Sequence, residues 1–217
     1  MGKRKKGNSY LLQGEYGFLL QPVLRRLFSQ ITIPDLYRKS VSGLAEKGHI
    51  VFVHSITSTI DGMLMNYRFS REGLLSPKIV FGKKFIFLQP LRGLMTLLAS
   101  PFASLSSPFE NEFYKEFLLD EGNASVISLD MTSARQGADP ILELLKIQRD
   151  TERPIYLLPQ RIVYRRAPLK IKDVTSEEKD SIKASGKIMT LLKAQEHGFL
   201  EHGEPINLKD VIKKEQG

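Results

Sequence analysis

Apolar residues recur along this chain with two periods, one helical and one extended, and the changes between them mark out its elements. Tyr16, Leu19, Leu20, Val23, Leu24, Leu27, Phe28 and Ile31 fall at helical spacing, with Arg25, Arg26 and Gln30 interleaved. This predicts an amphipathic helix begun or interrupted near Pro22, suited either to a lipid interface or to the protein's own sheet. The run Ile50-Val51-Phe52-Val53-His54 follows a turn-like Glu46-Lys47-Gly48 and is short, β-branched and apolar, the pattern of a buried strand. Thr57, Ser58 and Thr59 supply hydroxyls able to cap a helix from about Ile60, with Met63, Leu64, Tyr67 and Phe69 apolar and Gly73 at its end. A second strand is expected over Lys78–Phe81, and strand–helix–strand order implies a right-handed crossover in a largely parallel sheet.

Further on, Leu91–Leu98 reads as a short helix, Ala99–Pro108 as a loop rich in serine and proline, and Glu110–Leu119 as a helix. Ser125–Leu129 is the third expected strand, Pro140–Arg149 a helix with proline in its first turn, and Ile155–Tyr164 a fourth strand that contains Pro159. Thr175–Gln195 reads as helical in two pieces divided by Gly186, Phe199–Glu201 as a short strand and Leu208–Lys214 as a last helix. The alternation predicts an α/β fold with a mixed, largely parallel sheet flanked by helices. The expected organisation is a basic, amphipathic start over residues 1–45 and an α/β domain over 46–217.

Composition narrows the chemistry. The chain has 217 residues, 41% apolar and 26% charged, which is enough to bury a sheet under helices. It has no cysteine, so a disulfide framework, a zinc–thiolate site and a thiol nucleophile are excluded. The net charge of +8 is concentrated in Lys3, Arg4, Lys5 and Lys6 and in Arg161, Arg165, Arg166, Lys170 and Lys172. Such clusters seek phosphate in a small substrate, an anionic lipid or a nucleic acid. Nucleic-acid platforms interleave basic residues with exposed aromatics for stacking; with no tryptophan and aromatics placed mainly on core faces, the sequence speaks against that partner. The first cluster lacks the apolar segment of a secretory signal. The longest uncharged run, Gly93–Phe109, carries Pro101, Pro108 and four serines and is not a membrane span. The expectation is a cytoplasmic protein that meets membranes only from the surface.

Ligands of α/β sheets sit beyond the carboxyl ends of the strands, which directs attention to His54-Ser55-Ile56-Thr57-Ser58-Thr59-Ile60-Asp61. His54 and Asp61 are candidates for a base and its orienting carboxylate, although a histidine at a strand end also serves structural roles.

The stretch from His49 to Gly82 resembles the first conserved block of glycerol-3-phosphate acyltransferases: a hydrophobic strand, an H-x4-D motif, a leucine-rich helix, a G-L-P-x-P-like turn, a strand and a glycine. Val51–Val53, Asp61, Leu64–Tyr67, Gly73-Leu74-Leu75-Ser76-Pro77, Val80 and Gly82 carry the match. In this register the family's aspartate falls on Asp61 and its histidine on Ile56, while His54 lies two residues too early. Ser125–Gly137 resembles the block E-G-x-R-S-R-x-G that binds glycerol phosphate, with Asp130 in place of the glutamate, Ser133 in place of the first arginine, and Arg135 and Gly137 retained. One phosphate-pairing guanidinium of two is thus missing. Ile155-Tyr156-Leu157-Leu158-Pro159 is similar to the family's proline-bearing strand, and the segment from Phe199 to Leu208 to its terminal F-G-E-P-I-x-L.

The resemblance spans about Ile50–Ile212 in collinear order and implies a glycerolipid acyltransferase-like fold. It is similar in particular to the histidine-less N-terminal domain of the large bacterial and mitochondrial-type members, which precedes a catalytic domain. It therefore implies a non-catalytic domain of an enzyme that moves an acyl group from acyl-CoA or acyl carrier protein to the sn-1 hydroxyl of glycerol 3-phosphate, with no cofactor or metal. The implied partners are a catalytic acyltransferase domain, in the same or another chain, and an anionic membrane surface at the inner face of the membrane. Asp130, Arg135 and Gly137 are the implied substrate contacts, and Asp61 a vestige of the motif. Two alternatives stand beside it: an active, free-standing glycerolipid acyltransferase using His54, and a basic module for phosphate or nucleic acid.

Overall fold

The computed structural model describes residues 20–29, 31–54, 59–80, 113–129, 139–164 and 198–215. In chain order these form α1 (Leu20–Phe28), β1 (Ile31–Thr32), α2 (Asp35–Lys47), β2 (His49–His54), α3 (Thr59–Arg71), β3 (Pro77–Val80), α4 (Phe113–Leu119), β4 (Ala124–Ser128), α5 (Pro140–Arg149), β5 (Ile155–Tyr164), β6 (Gly198–His202), β7 (Ile206–Asn207) and α6 (Leu208–Glu215). The helices expected over 91–98 and 175–195 lie outside the described residues.

The strands join one mixed sheet in the order β1-β6-β5-β2-β4-β3, with β7 also on β5. β2 runs parallel to both β4 and β5, β3 parallel to β4 and β1 parallel to β6; β6 and β7 are antiparallel to β5. The α/β architecture read from the sequence is the one observed.

Alternation within the strands divides the core between two faces. Ile50, Phe52, Val126, Leu158 and Leu200 point to the side covered by Leu24 and Phe28 of α1, Tyr37 and Val41 of α2, and Leu64, Met65 and Phe69 of α3. Val51, Val53, Ile127, Ile155 and Leu157 point to the other, where Tyr114 and Leu118 of α4, Leu144 and Ile147 of α5 and Leu208 of α6 pack. Burial on both faces is why β2 reads as an unbroken apolar run.

The termini follow from local chemistry. Gly73, at φ +67°, ends α3 as a left-handed cap, and Leu74 N–H reaches back to the Phe69 carbonyl at 2.9 Å. Asp139 caps α5 by accepting from Ile141 N–H at 2.8 Å, with Pro140 in the first turn where no amide hydrogen is needed. Pro159 is tolerated inside β5 for a similar reason. Its carbonyl accepts from Gly203 N–H, so its missing donor would face residues 203–205, between the paired stretches of β6 and β7.

The amphipathic stretch of the start ends earlier than its periodicity suggests and, among the described residues, turns apolar side chains inward. Leu24 and Phe28 are buried in the core, so Phe28 is not available to insert into lipid, and Ile31 belongs to β1 instead of the helix. Residues 20–45, set apart from 46–217 by the sequence, feed Leu24, Phe28, Ile31, Ile33, Tyr37 and Val41 into the same cluster as β2 and α3.

One buried titratable group sits at the opposite end of β2 from its carboxyl terminus. His49 is 6% exposed, and burial lowers its pKa from 6.5; Arg153 adds to the lowering and Glu121 partly opposes it. Above about pH 6.5 folded and unfolded chains are both neutral here; below it the unfolded chain takes the proton first, so stability falls until the folded pKa is passed. The midpoint of urea unfolding should therefore drop more between about pH 7.5 and about pH 5.5 in the native chain than in His49→Gln. Parallel profiles would exclude this contribution.

Candidate functional site

Backbone register places a polar row level with the carboxyl end of β2. His54 pairs with Ser128 of β4, Val53 pairs with Pro159 so that Gln160 comes next, and Gln160 pairs with His202 of β6. The carbonyl of His54 also accepts from Leu129 N–H at 2.8 Å, which joins the exits of β2 and β4. This is the edge where an α/β sheet presents its ligand-binding loops.

His54 is 4% exposed and Gln160 6%. The Gln160 side-chain nitrogen lies 2.9 Å from His54 Nε2 and 3.2 Å from Met65 Sδ, and His54 Nε2 lies 3.1 Å from the same sulfur. On the far side of the amide, the Tyr37 hydroxyl donates to Gln160 Oε1. Burial raises the Tyr37 pKa well above its ordinary value, so this hydroxyl remains a donor across the physiological range. The Tyr37 ring is itself wedged between Phe69, with centroids 5.7 Å apart, and His202, whose ring meets it edge-on at 5.4 Å. His202 Nδ1 contacts the Gly203 carbonyl at 2.8 Å.

Asp61 is buried in the first turn of α3, where a carboxylate is favoured by the helix dipole, and lies one turn before Met65 on the same stripe. α3 is tied to α2 by the Glu72 carboxylate, which receives both Arg38 and Arg68. Among the described residues no three histidine, aspartate or glutamate side chains converge as metal ligands.

Of the residues singled out in the sequence, His54 and Asp61 are seen, both buried at the β2–α3 junction. Ile56, Asp130, Arg135, Gly137 and the basic residues Lys3 to Lys6 lie outside the described residues. Of the second basic cluster, Arg161 is exposed and pairs with Glu201 at 2.7 Å; Arg165, Arg166, Lys170 and Lys172 lie outside the described residues. Tyr37, Met65 and Gln160 were not anticipated. Gln160 had a legible signal: it alternates with Leu158 and Ile162 on a core face, and a glutamine there needs buried partners.

Among the described residues no helix is long and apolar enough to cross a membrane. No protein-family profile matches the chain, and no solved structure matches it either. Two curated proteins do. A glycerol-3-phosphate acyltransferase of Pseudoalteromonas atlantica is 25% identical over 216 residues, covering 91% of this chain and 26% of that protein. A glycerol-3-phosphate acyltransferase of Colwellia psychrerythraea is 24% identical over 229 residues, covering 95% of this chain and 27% of that protein. The resemblance carried by the motifs is thus met along nearly the whole chain, and the chain spans about a quarter of the length of these relatives.

Proposed function

We propose that this chain is an acyltransferase-like domain of a glycerol-3-phosphate 1-O-acyltransferase of phospholipid biosynthesis, and that the domain itself performs no acyl transfer. The whole enzyme would join the substrate hydroxyl oxygen to the carbonyl carbon of an acyl thioester, release the thiol of CoA or acyl carrier protein, and need a base for the hydroxyl proton. Ile56 stands at the motif position of that base and has no lone pair to offer. The observation that carries the reading is the state of the nearest substitute: the Nε2 of His54 is buried against the donor amide of Gln160 instead of facing an open site. A catalytic acyltransferase domain, in the same or another chain, would supply the base, and this domain would support or guide it. Asp130, Arg135 and Gly137 would retain part of a phosphate site.

The purified 217-residue chain should show no acyl transfer to glycerol 3-phosphate above background with either acyl-CoA or acyl carrier protein donors, and His54→Ala should leave that result unchanged. Turnover that His54→Ala abolishes would sink the non-catalytic reading and identify His54 as a displaced base.

The same reading puts the domain at the cytoplasmic face of a membrane, held by charge. α1 turns Leu24 and Phe28 into the core and leaves Arg25 and Arg26 exposed, without ion-pair partners among the described residues. Each basic residue near an anionic surface contributes about 1 kcal/mol before screening. Co-sedimentation with anionic vesicles should therefore be salt-sensitive and should weaken about tenfold when Arg25 and Arg26 are both changed to Glu. Binding that survives both high salt and the double change would point to apolar insertion elsewhere.

A further inference from the structure

We infer that Tyr37 and Gln160 clamp His54 as a neutral imidazole protonated on Nδ1, its Nε2 lone pair filled by the Gln160 amide, so that it fastens strands and helices in place of accepting protons. The inference deepens the non-catalytic reading and takes its functional meaning from it.

One contact fixes which way the Gln160 amide points: its oxygen receives the Tyr37 hydroxyl. Met65 Sδ lies beside both the amide nitrogen, at 3.2 Å, and His54 Nε2, at 3.1 Å, and does not discriminate between the two orientations of the amide. Rotating the amide by half a turn would deprive the Tyr37 hydroxyl hydrogen of its acceptor in a site where Tyr37 is 1% exposed. Buried donors without acceptors are strongly disfavoured. With the amide held, the atom 2.9 Å from His54 Nε2 is a donor nitrogen, so Nε2 must accept. A proton on Nε2 would set two donors head to head. The proton of the neutral ring therefore resides on Nδ1.

The clamp spans four elements. Tyr37 lies on α2, His54 on β2, Met65 on α3 and Gln160 on β5. Such a buried polar cluster fixes one arrangement of its members and, through the contact at Nε2, occupies the lone pair that a base needs.

The test is long-range proton–nitrogen correlation spectroscopy on the nitrogen-labelled full chain at about pH 7.5, where imidazole tautomers are distinguishable. The chain has four histidines, and His54→Gln identifies the signal that belongs to this one. The expected result is a neutral His54 ring with an unprotonated Nε2. Gln160→Met, close in size, should shift the ring toward the Nε2-protonated form, with Met65 Sδ left as acceptor; Tyr37→Phe should give a mixture, because the amide is then free to turn. A protonated Nε2 in the native chain overturns the clamp, as does an unchanged tautomer in both variants. Acyl transfer measured on the same samples separates the two readings. Turnover by a native chain whose Nε2 is unprotonated would defeat the non-catalytic assignment and leave the clamp standing.

Discussion

Phe52→Ala is expected to be among the most damaging single changes in this chain, lowering stability by about 3–5 kcal/mol. Phe52 sits in the middle of β2 with no exposure, between strands β4 and β5 on the core face that α2 and α3 cover. Truncation removes both its transfer free energy and its contacts, and a strand paired on both sides cannot move in to close the void. Its effect should reach the site as well. The Phe52 ring meets Phe69 at 5.5 Å, Phe69 meets Tyr37 at 5.7 Å, and Tyr37 orients the Gln160 amide. Urea unfolding followed by far-ultraviolet circular dichroism should show a reduced midpoint with little change in slope. Phe199→Ala, at a ring 41% exposed on β6, is the matched comparison and should cost well under half as much. Similar losses at the two positions would contradict the assignment of the core.

The strands and the β2–α3 junction were legible because their signals are local. β5 carries a ten-residue β-rich run, α5 a proline behind an aspartate cap, and α3 hydroxyls before and a glycine after. What was hidden depends on partners far along the chain. α2 went unread because its buried stripe is carried by Tyr37 and Val41, helped by partly buried Leu44 and Ala45, while Leu36 is 75% exposed and Gly43 lies within it. β1 is two residues long and exists through its pairing with β6, more than 160 positions away, so no periodicity within residues 31–32 announces it. Ile31 therefore falls at the spacing of a helical stripe although it lies in β1. The candidate site shows the same division. His54 and Asp61 are found by motif spacing, whereas the meaning of His54 depends on Tyr37 and Gln160, which are 123 positions apart.

On the proposed reading, that separation also bears on how the fold would tolerate a missing base. In a working site a histidine and its carboxylate are held by surroundings that leave one nitrogen open to substrate. In this chain the nearest histidine has its Nε2 paired inside a buried cluster, with the Tyr37 hydroxyl kept protonated by burial. On the proposed non-catalytic reading, an isoleucine at position 56 would remove any need to keep a base accessible there, and His54 is buried among side chains of α2, α3 and β5. Constraint on these residues would then come from packing instead of from a reaction.

Gly48→Ala should destabilise the chain by about 3 kcal/mol, although neither the backbone conformation nor the helix propensity of alanine objects to it. Gly48 links α2 to β2 with φ −170°, an extended geometry open to any residue. Space is the obstacle. A Cβ there would lie 2.2 Å from the Pro154 carbonyl oxygen and 2.8 Å from the Tyr156 ring. The ring can tilt, but the carbonyl cannot easily retreat, because it accepts from His49 N–H at 2.9 Å at the start of the β2–β5 pairing. Relieving the clash means opening the sheet at His49↔Ile155, from which the following residue pairs carry the strand up to His54. Gly43, inside α2, supplies the control. A Cβ at Gly43 meets nothing within 4 Å, so Gly43→Ala should stabilise by about 0.5–1 kcal/mol through the lower backbone entropy of alanine in the unfolded chain. For a chain of this size about 3 kcal/mol corresponds to a fall of roughly 6–12 °C in melting temperature, against a rise of a few degrees for Gly43→Ala. Opposite signs for the same chemical change five residues apart are the expected result. A Gly48→Ala chain that melts no lower than the native one would mean that the β2–β5 junction is looser than its hydrogen bonds imply.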